Sequence, residues 1–348
     1  MGKFIKIGVS KNGDVAFDMA RSSNQHISIC GKSGSGKSVA GQKIIKSIIE
    51  SGGTAVVFDM HWLFDPDHIF MPIRADIEMM MNETDAFSSG ISFPLFTPLK
   101  YADGTMEDEL DVVTSITDIL TGSMKLKCRQ KEDLFRALQY VAEENVYGNQ
   151  GIAALNEALY MVDSEVAANV QDKMRYILNK NVFRDGTDFI EENRINVLRL
   201  SKFTETTQAL IAEILLTYIW RLANTGIFLK EGLYLFCDEC QNLNLGRSGI
   251  IDTILAEGRK LGLHLILITQ SLGGSCRTRA AQCLLQTGQQ LYFMPSEGEA
   301  SIIAKMIHAA RYKDWQMVLK TLKVGECVAV GPLSVDETAY NRPLKINI

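Results

Sequence analysis

Residues 31–38 read Gly-Lys-Ser-Gly-Ser-Gly-Lys-Ser, a full match to the pattern G-x-x-x-x-G-K-[ST]. Nothing else in the chain restricts its fold as tightly. Small residues let the backbone curl until several N–H groups converge on one phosphate chain. The helix that follows aims the positive end of its dipole at the same anion. Such a loop works between a strand and a helix, and the neighbouring residues supply both. His26-Ile27-Ser28-Ile29-Cys30 is a short apolar run, and Ser38 to Ser51 carries helical spacing; Gly52-Gly53 stops it before the apolar, β-branched Thr54 to Phe58. Strand, loop, helix and strand make a βαβ unit, which implies a parallel sheet. The expected nucleotide contacts are Gly31, Ser33, Gly34, Ser35, Gly36, Lys37, Ser38 and Val39. In such loops the lysine, here Lys37, reaches the β- and γ-phosphate oxygens of ATP, and the hydroxyl, here Ser38, ligates Mg2+.

That sheet frames the rest of the 348 residues. Phe4, Ile5 and Ile7, then Val15 and Phe17, flank the tight-turn signal Asn12-Gly13, so residues 1–25 read as an N-terminal β-hairpin. From 105 to 180 the period becomes helical. Thr105 with Asp108 is a candidate capping box for a helix reaching Leu120 and stopped by Thr121-Gly122. Further helices are expected over Arg129 to Asn145, Ile152 to Val162 and Ser164 to Asn179. Four helices without a strand mark an all-α insertion. Strands return at Ile195 to Leu200, Leu233 to Cys237, Leu263 to Thr269, Leu291 to Met294 and Glu326 to Val330, with Ser296 and Glu299 as a second capping box. The expected organisation is an α/β sheet domain over 26–104 and 181–348, split by the insertion at 105–180.

Composition excludes several classes. With 46% hydrophobic and 22% charged residues the chain is not disordered. A net charge of -5 and a pI near 5.7 argue against a generally basic nucleic-acid coat, though a local patch remains compatible. Apolar runs such as Leu233 to Cys237 and Leu263 to Ile268 are strand-length, and the start lacks the features of a signal peptide. A cytoplasmic protein with no intrinsic membrane segment is expected. The seven cysteines read as reduced, buried thiols. Cys237 and Cys240 have CxxC spacing, but without a second pair or a histidine doublet they do not make a zinc site.

The strand Leu233 to Cys237 runs directly into Asp238-Glu239. In a parallel sheet this sets two acids at the carboxyl edge, where ligands bind. Beside a phosphate loop, Asp238 suits the Mg2+ water shell and Glu239 suits a base that orients and deprotonates the attacking water. An acidic pair that merely ends a strand is the plainer alternative. The strand Leu263 to Thr269 ends in Gln270, an amide placed to touch the γ-phosphate or the lytic water. His264, without a partner in sequence, reads as a packed residue. Arg259 precedes that strand and so lies at the amino ends. Seven strand residues at about 3.3 Å each put it roughly 23 Å from its own phosphates, beyond the reach of any side chain. Arg259 either completes a neighbouring subunit's site as an arginine finger, in a head-to-tail contact that closes into a ring, or forms with Lys260 a helix-terminal pair serving the macrodipole. Geometry alone supports the two equally.

Taken together these segments resemble the FtsK/HerA superfamily. Residues 13–18, Gly-Asp-Val-Ala-Phe-Asp, and the run from His26 to Ser38 look like the entry to its motor domain. Residues 236–243, Phe-Cys-Asp-Glu-Cys-Gln-Asn-Leu, resemble its second carboxylate motif, and Glu257 to Gln270 is similar to its arginine-plus-sensor segment. The ending, Gly325 to Gly331 and on to Arg342-Pro343, fits as well. The helical insertion resembles that of HerA-like and conjugative coupling ATPases. The resemblance implies a RecA-like P-loop NTPase domain with an all-α insertion and a short N-terminal β-hairpin. It also implies a homo-oligomeric, hexameric ring that uses ATP and Mg2+ to pull DNA, or sometimes protein, through its centre. Arg259 becomes a trans finger, Gln270 a sensor, and Asp59 an acid near the nucleotide, while His61, Asp65, Asp67 and His68 read as a polar loop. Three functions follow: DNA translocation in conjugation, packaging or DNA-end processing; an ATPase energising type IV-like secretion of protein or nucleoprotein; or a nucleotide-gated ring controlling a partner nuclease or effector. The complete set Lys37, Ser38, Asp238 and Glu239 disfavours the last. Cations expected to face DNA are Arg247, Arg277 and Arg279 in the edge loops, and Lys125, Lys127, Arg129 and Lys131 on the insertion.

Overall fold

The computed structural model describes residues 4–246, 249–273, 278–296 and 298–348. The chain forms two units, one of Met1–Asn82, Glu192–Val197 and Lys230–Ile348, the other of Glu83–Glu191 and Leu198–Leu229. In chain order the first opens with β1 (Phe4–Ser10), β2 (Gly13–Asp18), β3 (Ile27–Cys30), α1 (Lys37–Glu50), β4 (Thr54–Asp59), α2 (Arg74–Met80) and the start of β5 (Met81–Asp85). The second unit carries β6 (Ile91–Ser92), α3 (Glu109–Met124), α4 (Cys128–Glu143), α5 (Tyr147–Gln150), α6 (Ala153–Met161), α7 (Glu165–Lys180) and β7 (Phe183–Arg184). After β8 (Ile195–Arg199) and α8 (Glu205–Asn224), the chain returns to the first unit through β9 (Leu233–Cys237), α9 (Ile250–Glu257), β10 (Leu263–Thr269), α10 (Arg279–Leu285) and β11 (Gln289–Tyr292). It ends with α11 (Ala300–Ile307), α12 (Tyr312–Lys320), β12 (Glu326–Val330), β13 (Leu333–Val335), β14 (Thr338–Tyr340) and β15 (Leu344–Asn347).

Among the described residues the main sheet has thirteen strands, in the order β14-β13-β2-β1-β15-β12-β11-β3-β10-β9-β4-β8-β5. Strands β11, β3, β10, β9 and β4 are parallel. From β12 outward the pairing is antiparallel, so the sheet is mixed. Every residue of β9 and β10 is buried, which explains their unbroken apolar runs: strands covered on both faces need no polar alternation. Ile44, Ile45 and Ile48 of α1 join Ile27, Ile29, Phe236, Ile266 and Ile268 in one core cluster. Burial of each such side chain stabilises the unit by about 1.5–3 kcal/mol.

The amino-terminal hairpin forms one residue earlier than its turn signal. Ser10 pairs with Gly13, leaving Lys11 and Asn12 as the loop. It is also built into the sheet, since β1 pairs with β15 and β2 with β13.

In the second unit the helices α3 to α7 run from Glu109 to Lys180. Asp108, not Thr105, caps α3 by accepting from the Leu110 amide at 2.8 Å, and α3 runs through Gly122 to Met124. Thr105 bonds Asp103 instead. Ser164 caps α7 as its position suggests. Arg221 of α8 is buried against Glu107 at 2.9 Å and donates to the carbonyls of Leu95 and Thr97.

A candidate nucleotide site

The loop of residues 31–36 is held from three sides. The Gly31 amide donates to Thr269 O at the end of β10 (3.3 Å), the Lys32 amide to Met294 O after β11 (2.8 Å), and the Gly325 amide to Ser35 O (3.0 Å). Gly36 stands at φ +109, and a Cβ there would lie 3.1 Å from the Gly325 amide, so position and neighbour together call for glycine. Ser35 Oγ closes the loop on Lys32 O at 2.7 Å. Because α1 begins at Lys37, its unpaired amide ends and dipole face this loop. Lys37 is buried and donates to Lys32 O at 3.0 Å. Burial pulls its ammonium down, and the charges of Glu239 and Asp238 push it back up. Ser33, Gly34 and Ser38 are exposed, while Val39 is half-buried.

The parallel register brings the acids to this edge. Asp238 follows β9, the neighbour of β10, whose other neighbour β3 leads into the loop. Burial, then the Glu239 charge, push the Asp238 carboxyl up to about 6; the Glu239 amide, His61 and Lys37 act in the other direction. Glu239 stands at φ +49 and caps the single 3-10 turn Cys240–Asn242. Its carboxylate accepts from two amides: Gln270 Nε2 on one oxygen and Gln241 Nε2 on the other. Gln241 in turn accepts from the Thr269 hydroxyl at 2.7 Å. Lys37, Asp238, Glu239 and Gln270 therefore meet at one sheet edge, joined by Gln241, which sequence reasoning did not single out. Its only signal was an amide two residues beyond the acid.

The other candidates fall elsewhere. Arg259 is exposed on the 3-10 turn Gly258–Leu261, at the far end of β10, and its guanidinium donates to Ser23 O. Asp59 is buried, accepting from the Leu63 and Phe64 amides at 2.8 and 3.1 Å, so it shapes the turn after β4. Arg279 pairs with Asp252 and donates to Leu245 O at 2.6 Å, so it is a tied side chain and not a free loop cation. Arg247 and Arg277 lie outside the described residues. Lys131 pairs with Asp118 at 2.5 Å, whereas Lys125, Lys127 and Arg129 are exposed around the α3–α4 connection. Glu299 caps α11 itself: it accepts from Ser296, and from Ser271 Oγ and the Leu272 amide at 2.7 Å each. Burial pushes the Cys30 and Cys237 thiols up to about 12 and holds Cys240 well above the usual thiol range. These thiols are unreactive core residues. Among the described residues no cluster of three His, Cys, Asp or Glu is placed to hold a metal with protein ligands alone. A serine hydroxyl at the head of α1 and one carboxylate form a hard-oxygen donor pair of the kind Mg2+ takes while keeping most of its waters.

The fold and this loop define a RecA-like P-loop ATPase that binds nucleotide. The family model of the HerA helicase central domain matches residues 5–219, and the chain belongs to that family. Its fold is similar to VirB4 of Thermoanaerobacter pseudethanolicus, with a TM-score of 0.71 at 15% identity over 100% of this chain and 96% of that one. It is also similar to the bacterial conjugative coupling protein TrwB, with a TM-score of 0.60 at 14% identity over 98% and 88% of the two chains. TrwB has also been solved with ADP and Mg2+. A 47-residue stretch is 45% identical to Protein TraC of Escherichia coli K12, covering 14% of this chain and 5% of TraC. The chain thus matches a small part of that relative's length. Among the described residues no helix is long and apolar enough to cross a membrane.

Proposed function

We propose that the chain hydrolyses ATP as one subunit of a hexameric ring that translocates DNA. One observation carries this reading: Lys37, Asp238, Glu239 and Gln270 converge at the carboxyl edge of the sheet, while Arg259 stands exposed at the opposite end of β10. In this reading the loop amides and Lys37 hold the β- and γ-phosphates. Ser38 and Asp238 are the residues that would hold Mg2+, which would supply charge neutralisation at the phosphate oxygens. Glu239 orients the lytic water and accepts its proton. Gln270 reports the loss of the γ-phosphate to β10. Arg259 serves the next subunit's pocket, where a finger is worth about 10³–10⁵ in rate. The exposed Lys125, Lys127 and Arg129 are the described candidates for phosphate contact.

The test is ATP turnover with and without long duplex DNA, measured together with particle mass. DNA translocation predicts a ring-sized particle whose turnover rises with duplex length. Turnover indifferent to DNA would move the cargo to protein. A monomer with full turnover would contradict the ring.

A further inference from the structure

Both oxygens of the Glu239 carboxylate accept from side-chain amides, and the two donors differ in how they are fixed. Both Gln270 and Gln241 are exposed at this edge. Gln241 is held at its other side: its Oε1 accepts from Thr269 Oγ1 at 2.7 Å. A carboxylate only accepts, so the Gln241 amide nitrogen faces Glu239 and its oxygen faces the Thr269 hydroxyl, whose single proton lies between Gln241 Oε1 at 2.7 Å and Ser271 O at 2.9 Å. Thr269 is fully buried as the last residue of β10. The chain beyond it is pinned by Glu299, which is itself buried and accepts from Ser271 Oγ and the Leu272 amide at 2.7 Å each. A line of hydrogen bonds therefore runs from Glu299 and the anchored end of β10, through Thr269 and Gln241, to the carboxylate.

We infer that Gln241 is a positioning residue for the Glu239 base, tethering it to Thr269. The backbone explains the need. Glu239 sits at φ +49, a conformation unfavourable for a side-chain-bearing residue, on a turn of only three residues. Such a turn does not fix the glutamate's rotamers. With one lone pair on each oxygen taken by an amide, the carboxylate plane is set and the remaining lone pairs are left to accept from water. A base displaced by about 1 Å loses on the order of 100-fold in rate. The inference rests on the hydrolytic reading above, with Glu239 as base.

The test uses the full chain and four substitutions. Gln241→Met keeps length and volume but donates nothing, and Thr269→Val removes the hydroxyl at nearly constant shape. Each should lower kcat roughly 10- to 100-fold, leaving the KM for ATP and the melting temperature in place. The double variant should be no slower than the slower single one, because both cut the same line. Thr269→Ser, which restores the hydroxyl, should turn over faster than Thr269→Val. Wild-type kcat in Gln241→Met, losses that multiply in the double variant, or losses that follow a fall in melting temperature would each overturn the assignment. Glu239→Gln is the separate control: if it turns over like wild type, the hydrolytic reading fails and the Gln241 assignment falls with it.

Discussion

Lys37 keeps only 7% of its surface in contact with solvent, a costly position for an ammonium group unless anionic oxygens come to meet it. Its place inside a phosphate loop supplies that reason. Lys37→Ala should abolish turnover and nucleotide retention together. Glu239→Gln should still bind ATP while kcat falls by about 10²–10⁴; nucleotide retention on a filter separates the two. Two histidines give a pH prediction. Burial lowers His26 to about 4 and His264 to about 3. Below the ordinary value near 6.5, the unfolded chain takes up protons that the folded chain refuses. Stability present at neutral pH is therefore lost as pH falls from 6.5 towards 4, at up to about 1.4 kcal/mol per unit for each ring. Urea midpoints between pH 7 and 4.5 should fall less steeply in His264→Gln than in the wild type. An equal slope would mean that His264 already titrates normally. That Lys37, Asp238, Glu239 and Gln270 share one sheet edge was legible because a phosphate loop and two apolar strand ends are local patterns. The place of Gln241 was not, because it depends on the left-handed turn at Glu239, which brings the amide back to the acid.

Elements with a single clear driving force were read with the right ends. Strands β9 and β10 match residue for residue, since burial on both faces leaves continuous apolar runs. Strand β11 begins two residues before Leu291 because Gln289 and Gln290 are buried strand residues despite their polarity. Strands β13, β14 and β15 were missed: they are three or four residues long and partly exposed, and only pairing across the sheet defines them. In the helical unit, Asp108→Ala should lose about 1 kcal/mol by uncapping α3. Arg221→Ala, which strands Glu107 in a buried setting, should lose about 3–5 kcal/mol. Denaturant titration of the two variants checks that order, and a larger loss for Asp108→Ala would contradict the burial argument.

At the scale of the molecule, the separation of Arg259 from the loop follows from strand geometry: seven residues of β10 lie between the arginine's turn and the nucleotide edge. Sequence alone left a choice between a finger and a helix-end charge pair. The structure adds that Arg259 is exposed on a 3-10 turn, with its guanidinium on the Ser23 carbonyl. If each pocket is completed by the adjoining subunit, as proposed, two inactive variants can complement each other when mixed. Arg259→Ala and Glu239→Gln should each be inactive alone. Under conditions where subunits exchange, a ring containing both has interfaces that join an intact Glu239 to an intact Arg259. ATP turnover should therefore reappear on mixing. Mixtures that exchange subunits and stay inert would contradict the claim.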